Sequence, residues 1–94
     1  MKIQLTRQAS RDLDKLWVYV CGQNPFAADT LVGRILDAIE VLRAHPNAGR
    51  TGRVAGTREL VVSDTPYVVA YIVNRGRVTV VRVLHGARSW PRRI

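Results

Sequence analysis

The sequence predicts a two-layer α+β domain, β-α-α-β-β-β, with an antiparallel sheet packed on a helical hairpin and residues 1–94 forming a single domain. Three observations carry this. The first half holds two apolar stripes at three- and four-residue spacing, the second half holds three β-branched runs, and the connectors between elements are short. Consecutive strands joined by short connectors pair antiparallel. A helix pair and a sheet, each apolar on one side, satisfy one another as two layers.

Lys2–Leu5 is a short strand with Ile3 and Leu5 on one face, and Thr6 is placed to cap the helix that follows. From Arg7, residues Ala9, Leu13, Leu16, Trp17 and Val20 form one helical stripe, which puts Trp17 in the core. Gly22 is the expected terminator. Asn24-Pro25 opens the second helix as N-cap and first helical residue. The connector of about three residues predicts antiparallel packing. Ala28, Leu31, Val32, Ile35, Ile39 and Leu42 form the second stripe, ended by His45-Pro46. Residues 46–57 read as a loop, followed by strands at about Arg58–Val62, Tyr67–Asn74 and Arg77–Leu84. The run from Tyr67 to Val73 is apolar on both faces, so it belongs at the centre, with the tail or a partner covering its second side.

Composition excludes several classes. A hydrophobic fraction of 47% and a mean hydropathy of -0.05 are those of a folding chain rather than a disordered one. No apolar run approaches the ~18 residues of a membrane span. Ile3-Gln4-Leu5-Thr6-Arg7 is no signal-peptide core, and the single Cys21 suits a reducing compartment, so the expectation is a cytoplasmic protein without membrane contact. Two histidines and one cysteine are too few for a zinc site, and neither metal nor cofactor is expected.

Fifteen Lys and Arg against seven Asp and Glu give a formal charge of +8. The excess lies in the second half, where every cation is an arginine and the only acids are Glu59 and Asp64. Such a surface suits nucleic acid or an acidic protein. It is also what an arginine-rich genome supplies as a solubilising surface.

Asp12-Leu13, Asn24-Pro25 with Ala28, His45-Pro46-Asn47-Ala48-Gly49-Arg50, Gly56-Thr57-Arg58-Glu59-Leu60, Pro66-Tyr67 with Tyr71, Val83-Leu84-His85-Gly86-Ala87-Arg88 and Trp90-Pro91 occur in this order. Together they resemble the ParE/RelE superfamily of bacterial toxins from type II toxin–antitoxin modules, over nearly the whole chain. The resemblance implies a growth-arresting toxin neutralised by a cognate antitoxin that wraps it with a helix and an extended segment. ParE-like members poison DNA gyrase without a known reaction of their own; RelE-like members enter the ribosome and cut messenger RNA. The expectation here is the ParE-like mechanism. The alternatives are a ribosome-dependent endoribonuclease and a non-toxic basic module that binds nucleic acid.

In a RelE-like enzyme the catalytic candidates would be His85, Arg82, Arg58 and Tyr71: imidazole and phenol for proton transfer, guanidinium for phosphate charge. Each has a plainer role. His85 closes a strand through a local hydrogen bond, Arg58 salt-bridges an acid of the helical layer, and Tyr71 packs in the core. Arg82 and His85 are three apart, which in a straight strand places them on opposite faces. Candidates for binding target or antitoxin are Arg50, Arg53, Arg58, Arg88 and Trp90. Gly49, Arg50, Gly52 and Arg53 resemble an anion-binding loop or a linker, and Trp90 pins the tail. No lysine follows residue 15, and the tail offers Trp90 where RelE-like nucleases carry a proton donor.

Overall fold

The computed structural model describes residues 1–88 and 90–93. The elements are β1 (Lys2–Leu5), α1 (Arg7–Gln23), α2 (Pro25–Ala44), β2 (Arg50–Thr51), β3 (Arg58–Val61), β4 (Tyr67–Asn74) and β5 (Arg77–His85). Thr6 caps α1 by accepting the Ala9 N–H at 3.1 Å, and its hydroxyl donates to the Val81 carbonyl at 2.9 Å. The same residue therefore starts the helix and ties it to β5.

The helix hairpin is tighter than its sequence predicts. α1 runs through Gly22 to Gln23, and the single residue Asn24 joins the helices. Asn24 is extended (φ -158°); its N–H reaches the Val20 carbonyl at 2.7 Å and its side chain accepts from Phe26 and Ala27. One asparagine thus caps both helices, and no left-handed glycine is needed.

The sheet has the order β1-β5-β4-β3-β2. It is mixed rather than purely antiparallel: β1 pairs parallel to β5, with Ile3 opposite Val78 and Leu5 opposite Val80. Two helices separate β1 from the rest, so no short connector dictates its direction. The loop after α2 also contributes the two-residue strand β2, antiparallel to β3. Leu16, Ile35, Ile39, Leu42, Val69, Tyr71, Val78, Val80 and Val83 form the core between the layers. Val68 and Ala70, on the opposite face of β4, are buried too. There Gly86 lies so close that an added Cβ would meet Val68 Cγ2 at 3.3 Å, so the segment leading into the tail supplies the second cover.

Trp17 is not core. It is 42% exposed, and its Nε1 donates to Asp29 across the hairpin at 3.4 Å. Only Ala9 and Leu16 of α1 are buried; Trp17 sits at the border of the stripe, and Val18, Tyr19 and Phe26 near the apex are exposed as well.

Tyr71 holds the layers in register. It is fully buried, its hydroxyl donating to the Pro46 carbonyl at 2.8 Å and accepting the Gly49 N–H at 2.9 Å. A Cβ on Gly49 would meet the Glu59 carbonyl oxygen and the Tyr71 hydroxyl at 2.7 Å, so only glycine allows this approach. At the other end of the sheet, Arg43 donates to Glu40 at 2.6 Å and to the Met1 carbonyl at 3.2 Å, and the N-terminal ammonium donates to the Arg43 carbonyl at 3.2 Å.

Tyr71→Phe leaves a buried N–H and carbonyl unpaired and is expected to cost about 1–3 kcal/mol in a denaturant titration. Gly49→Ala, which forces backbone apart, should cost more. The hydrogen bond from Arg43 holds the Glu40 carboxyl below its usual range. A depressed carboxylate pKa stabilises the fold above the unfolded value of about 4.3 and ceases to do so as pH falls through the folded value. Comparing unfolding midpoints of the native chain and Glu40→Gln across the acid range should show the difference between them shrinking as pH falls.

Candidate functional site

Two shielded carboxylates, one of them fully buried, organise the arginines of the sheet layer. The first is Asp12, on α1. β1 stops at Leu5, leaving the edge of β5 open beyond Val80. Asp12 lies beside that open stretch: its Oδ2 accepts the Val83 N–H at 3.0 Å, and its two oxygens receive Arg82 Nε at 2.7 Å and Nη2 at 3.0 Å. The pair is largely shielded, with 21% of the Arg82 side chain and 11% of the Asp12 side chain exposed. Hydrogen bonding to Asp12 raises the Arg82 pKa above its already high value, against the opposing effect of burial. Arg82 is thereby a neutralised structural group.

The second is Glu59. Its place in β3 turns it to the face away from the helices, where the loop of residues 52–57 folds over it. It accepts the Arg53 N–H at 2.6 Å, Arg53 Nε at 3.3 Å and Arg50 Nη2 at 3.4 Å. The Arg53 guanidinium also lies 3.7 Å from the Trp90 ring centre and donates to the Gly86 carbonyl at 3.1 Å. Trp90 Nε1 donates to the His85 carbonyl at 3.2 Å. Loop, β3 and tail thus form one stack, with Trp90 pinning the tail as its sequence position predicts. The resemblance of Gly49–Arg53 to an anion-binding loop is resolved internally: the anion is Glu59.

His85 ends β5 beside a groove of about 310 Å³ lined by Asp12, Lys15, Tyr19, Tyr67, His85 and Arg88, among others. Its ring meets Tyr67 edge-on at 5.6 Å, and Nδ1 accepts the Ala87 N–H at 3.2 Å. In the neutral ring the proton then sits on Nε2. The local hydrogen bond and the groove are both real, so the strand-closing role is present whatever else the imidazole does.

The other catalytic candidates do not join it. β5 carries a register shift: Ala70 faces Arg82 while Tyr71 faces Val80, leaving Val81 as the extra residue. The shift precedes Arg82, so the stretch from Arg82 to His85 keeps its alternation and the two side chains stay apart. Tyr71 is sealed in the core with its hydroxyl used twice, which removes it as a surface proton donor. Arg58 makes no salt bridge to the helical layer; Nη2 donates to the Asn47 carbonyl at 3.2 Å, and Nε is buried without a partner. Arg88 is exposed on the groove. Among the described residues no group of three His, Cys, Asp or Glu is placed to hold a metal, and no helix is long and apolar enough to cross a membrane.

Asp12 and Glu59 are the residues the sequence reading underrated. For Glu59 the signal is scarcity: the second half has two acids, and one of them lies in a strand directly after an arginine-bearing loop. Glu59→Ala in a Trp17→Phe background, where Trp90 is the only indole, should red-shift the emission as the Arg53 stack opens. It should also lower stability by about 2–3 kcal/mol through the unpaired N–H and guanidinium groups.

Comparison with known proteins agrees with this architecture. Residues 3–90 match the family described as ParE toxin of type II toxin-antitoxin system, parDE. "Putative toxin Y4kP" of Sinorhizobium fredii is 39% identical over 90 residues, covering 96% of this chain and 93% of the relative. "Toxin RelE2" of Caulobacter vibrioides is 39% identical over 83 residues, covering 88% and 92%. The structure titled "Chromosomal ParDE TA system from P. aeruginosa" superposes with a TM-score of 0.81 at 27% identity, over 88% of this chain and 92% of that one. A toxin of this kind has an antitoxin as its protein partner. With fold, sequence and motif order in agreement, the chain belongs to the ParE toxin family of type II toxin–antitoxin systems.

Proposed function

We propose that this toxin arrests growth by poisoning DNA gyrase in the cytoplasm, through surface contacts and without a reaction of its own. The observation that carries this reading is the separation of the catalytic candidates Tyr71, Arg82 and Arg58 from His85. Cleavage of RNA without a metal needs a base, an acid and unneutralised cations around one phosphate. Here Tyr71 is buried, Arg82 is bound to Asp12, and Arg50 and Arg53 converge on Glu59. Of the candidates, only His85 and Arg88 share a groove, where Lys15, Tyr19 and Tyr67 also stand. Membership of the ParE family supports the same reading.

A second reading, ribosome-dependent cleavage of messenger RNA, is favoured by that His85–Arg88 groove and by relatives that bear the name RelE. Arg50, Arg53, Arg58, Arg88 and Trp90 remain the surface proposed for target or antitoxin. Of these, Arg88 and the outer edges of Arg50 and Arg53 are the accessible parts.

Purified gyrase with added toxin should lose supercoiling activity and accumulate cleaved DNA, and His85→Ala should retain both effects and growth arrest. Full supercoiling activity, together with primer-extension stops phased on codons and abolished by His85→Ala, would instead establish the nuclease.

A further inference from the structure

At the end of the sheet remote from His85 lie three cations, Lys2, Arg75 and Arg77, that have no ion pair among the described residues. Lys2 and Arg77 are register partners across the parallel β1–β5 pair, and Arg77 is opposite Asn74 across β5–β4. Ile3 and Val78 point into the core, so Lys2 and Arg77 share the face turned away from the helices. Arg75 lies in the turn between β4 and β5. The seven acids of the chain are Asp12, Asp14, Asp29, Asp37, Glu40, Glu59 and Asp64, and none falls on β1, β4 or β5. Gln4, Asn74, Arg75, Arg77 and Thr79 line a notch of about 300 Å³ there, with Gln4 Nε2 donating to Thr79 Oγ1 at 3.0 Å.

Two local rules of stability are broken at this spot. Like charges directly opposite one another on neighbouring strands are destabilising. The two-residue turn Arg75-Gly76 has φ values of 51° and 74°, the geometry that favours Asn-Gly; arginine at the first position pays a steric penalty that asparagine largely avoids. The turn is also tied to β1, because the Lys2 N–H donates to the Gly76 carbonyl at 3.2 Å. A strained arginine beside a like-charged register pair, none of them ion-paired among the described residues, marks a place where stability has been given up for binding.

We infer that this end of the sheet is a binding site for the phosphodiester backbone of duplex DNA. Guanidinium and ammonium groups neutralise phosphate, and the amides of Gln4 and Asn74 add donors that phosphate oxygens accept. An acidic protein is the poorer fit, since protein interfaces need a buried apolar centre and the only exposed large apolar side chain on β1, β4 and β5 is Ile72, 36% exposed. Single-stranded RNA fits poorly as well: its readers stack bases on aromatic rings, and the aromatic residues described here lie on the helices, in the core, beside His85 or under Arg53. The inference does not depend on the gyrase reading, because the binding is measured without gyrase.

The test uses the full chain, a fluorescein-labelled mixed-sequence duplex, and anisotropy titrations over a range of salt. Arg75→Asn/Arg77→Ala should weaken binding several-fold and lower the slope of log affinity against log salt by about 2, near 0.9 for each lost phosphate contact. Arg75→Asn alone should raise the melting temperature by roughly 4 °C while weakening binding, the opposite of what a damaged fold would do. The charge-matched variant Arg7→Ala/Arg11→Ala, on the exposed side of α1, should leave the slope unchanged. An unchanged slope in Arg75→Asn/Arg77→Ala, an equal loss in the α1 variant, or equal competition by polyglutamate or single-stranded RNA would overturn the site.

Discussion

A carboxylate taken out of water costs several kcal/mol unless cations and N–H groups surround it, and the Glu59 side chain is 1% exposed. That requirement determines much of the sheet layer. The residue that satisfies it best, Arg53, must bring its own backbone N–H and its guanidinium to the same carboxylate, which folds the loop after β2 back over β3. Once there, the guanidinium offers its flat face to Trp90 and its outer nitrogen to Gly86, so the tail is ordered by the same ion pair. Asp12 plays the equivalent part at the open edge of β5, where it completes the hydrogen bonding that β1 is too short to supply.

These two carboxylates divide the arginines. Arg50, Arg53 and Arg82 are partly or wholly consumed by the fold, whereas Arg75, Arg77 and Arg88 have no ion pair among the described residues. A net charge alone therefore overstates what the protein can offer a ligand. The accessible cations are fewer than the composition implies; those of the sheet layer lie at the two ends of β5 rather than across its middle, and others lie on α1 and in the tail.

The helical stripes, the start of α2 at Asn24-Pro25 and the bounds of β3, β4 and β5 were legible in the sequence because each is a local pattern of spacing and capping. The direction of β1 was not, since it depends on a partner that enters the sheet more than seventy residues later. Trp17 misled because period alone does not say how far the sheet extends beneath a helix. Candidate site residues fared worse than elements. Residue type made Tyr71 and Arg82 look chemical, but Tyr71 is spent on Pro46 and Gly49 and Arg82 on Asp12, pairings made between distant segments. The motif His45–Arg50 carried the clue in Gly49, whose need for a bare Cα is apparent only beside Tyr71.

The division of the arginines is the claim on which the functional reading rests, and nuclear magnetic relaxation of arginine Nε–H groups addresses it directly. Arg53 and Arg82 should give resolved, slowly exchanging signals with order parameters near the rigid backbone value of about 0.85, while Arg75 and Arg77 fall below about 0.6. Uniform mobility across all four, or rigid Arg75 and Arg77 in the unliganded chain, would contradict it.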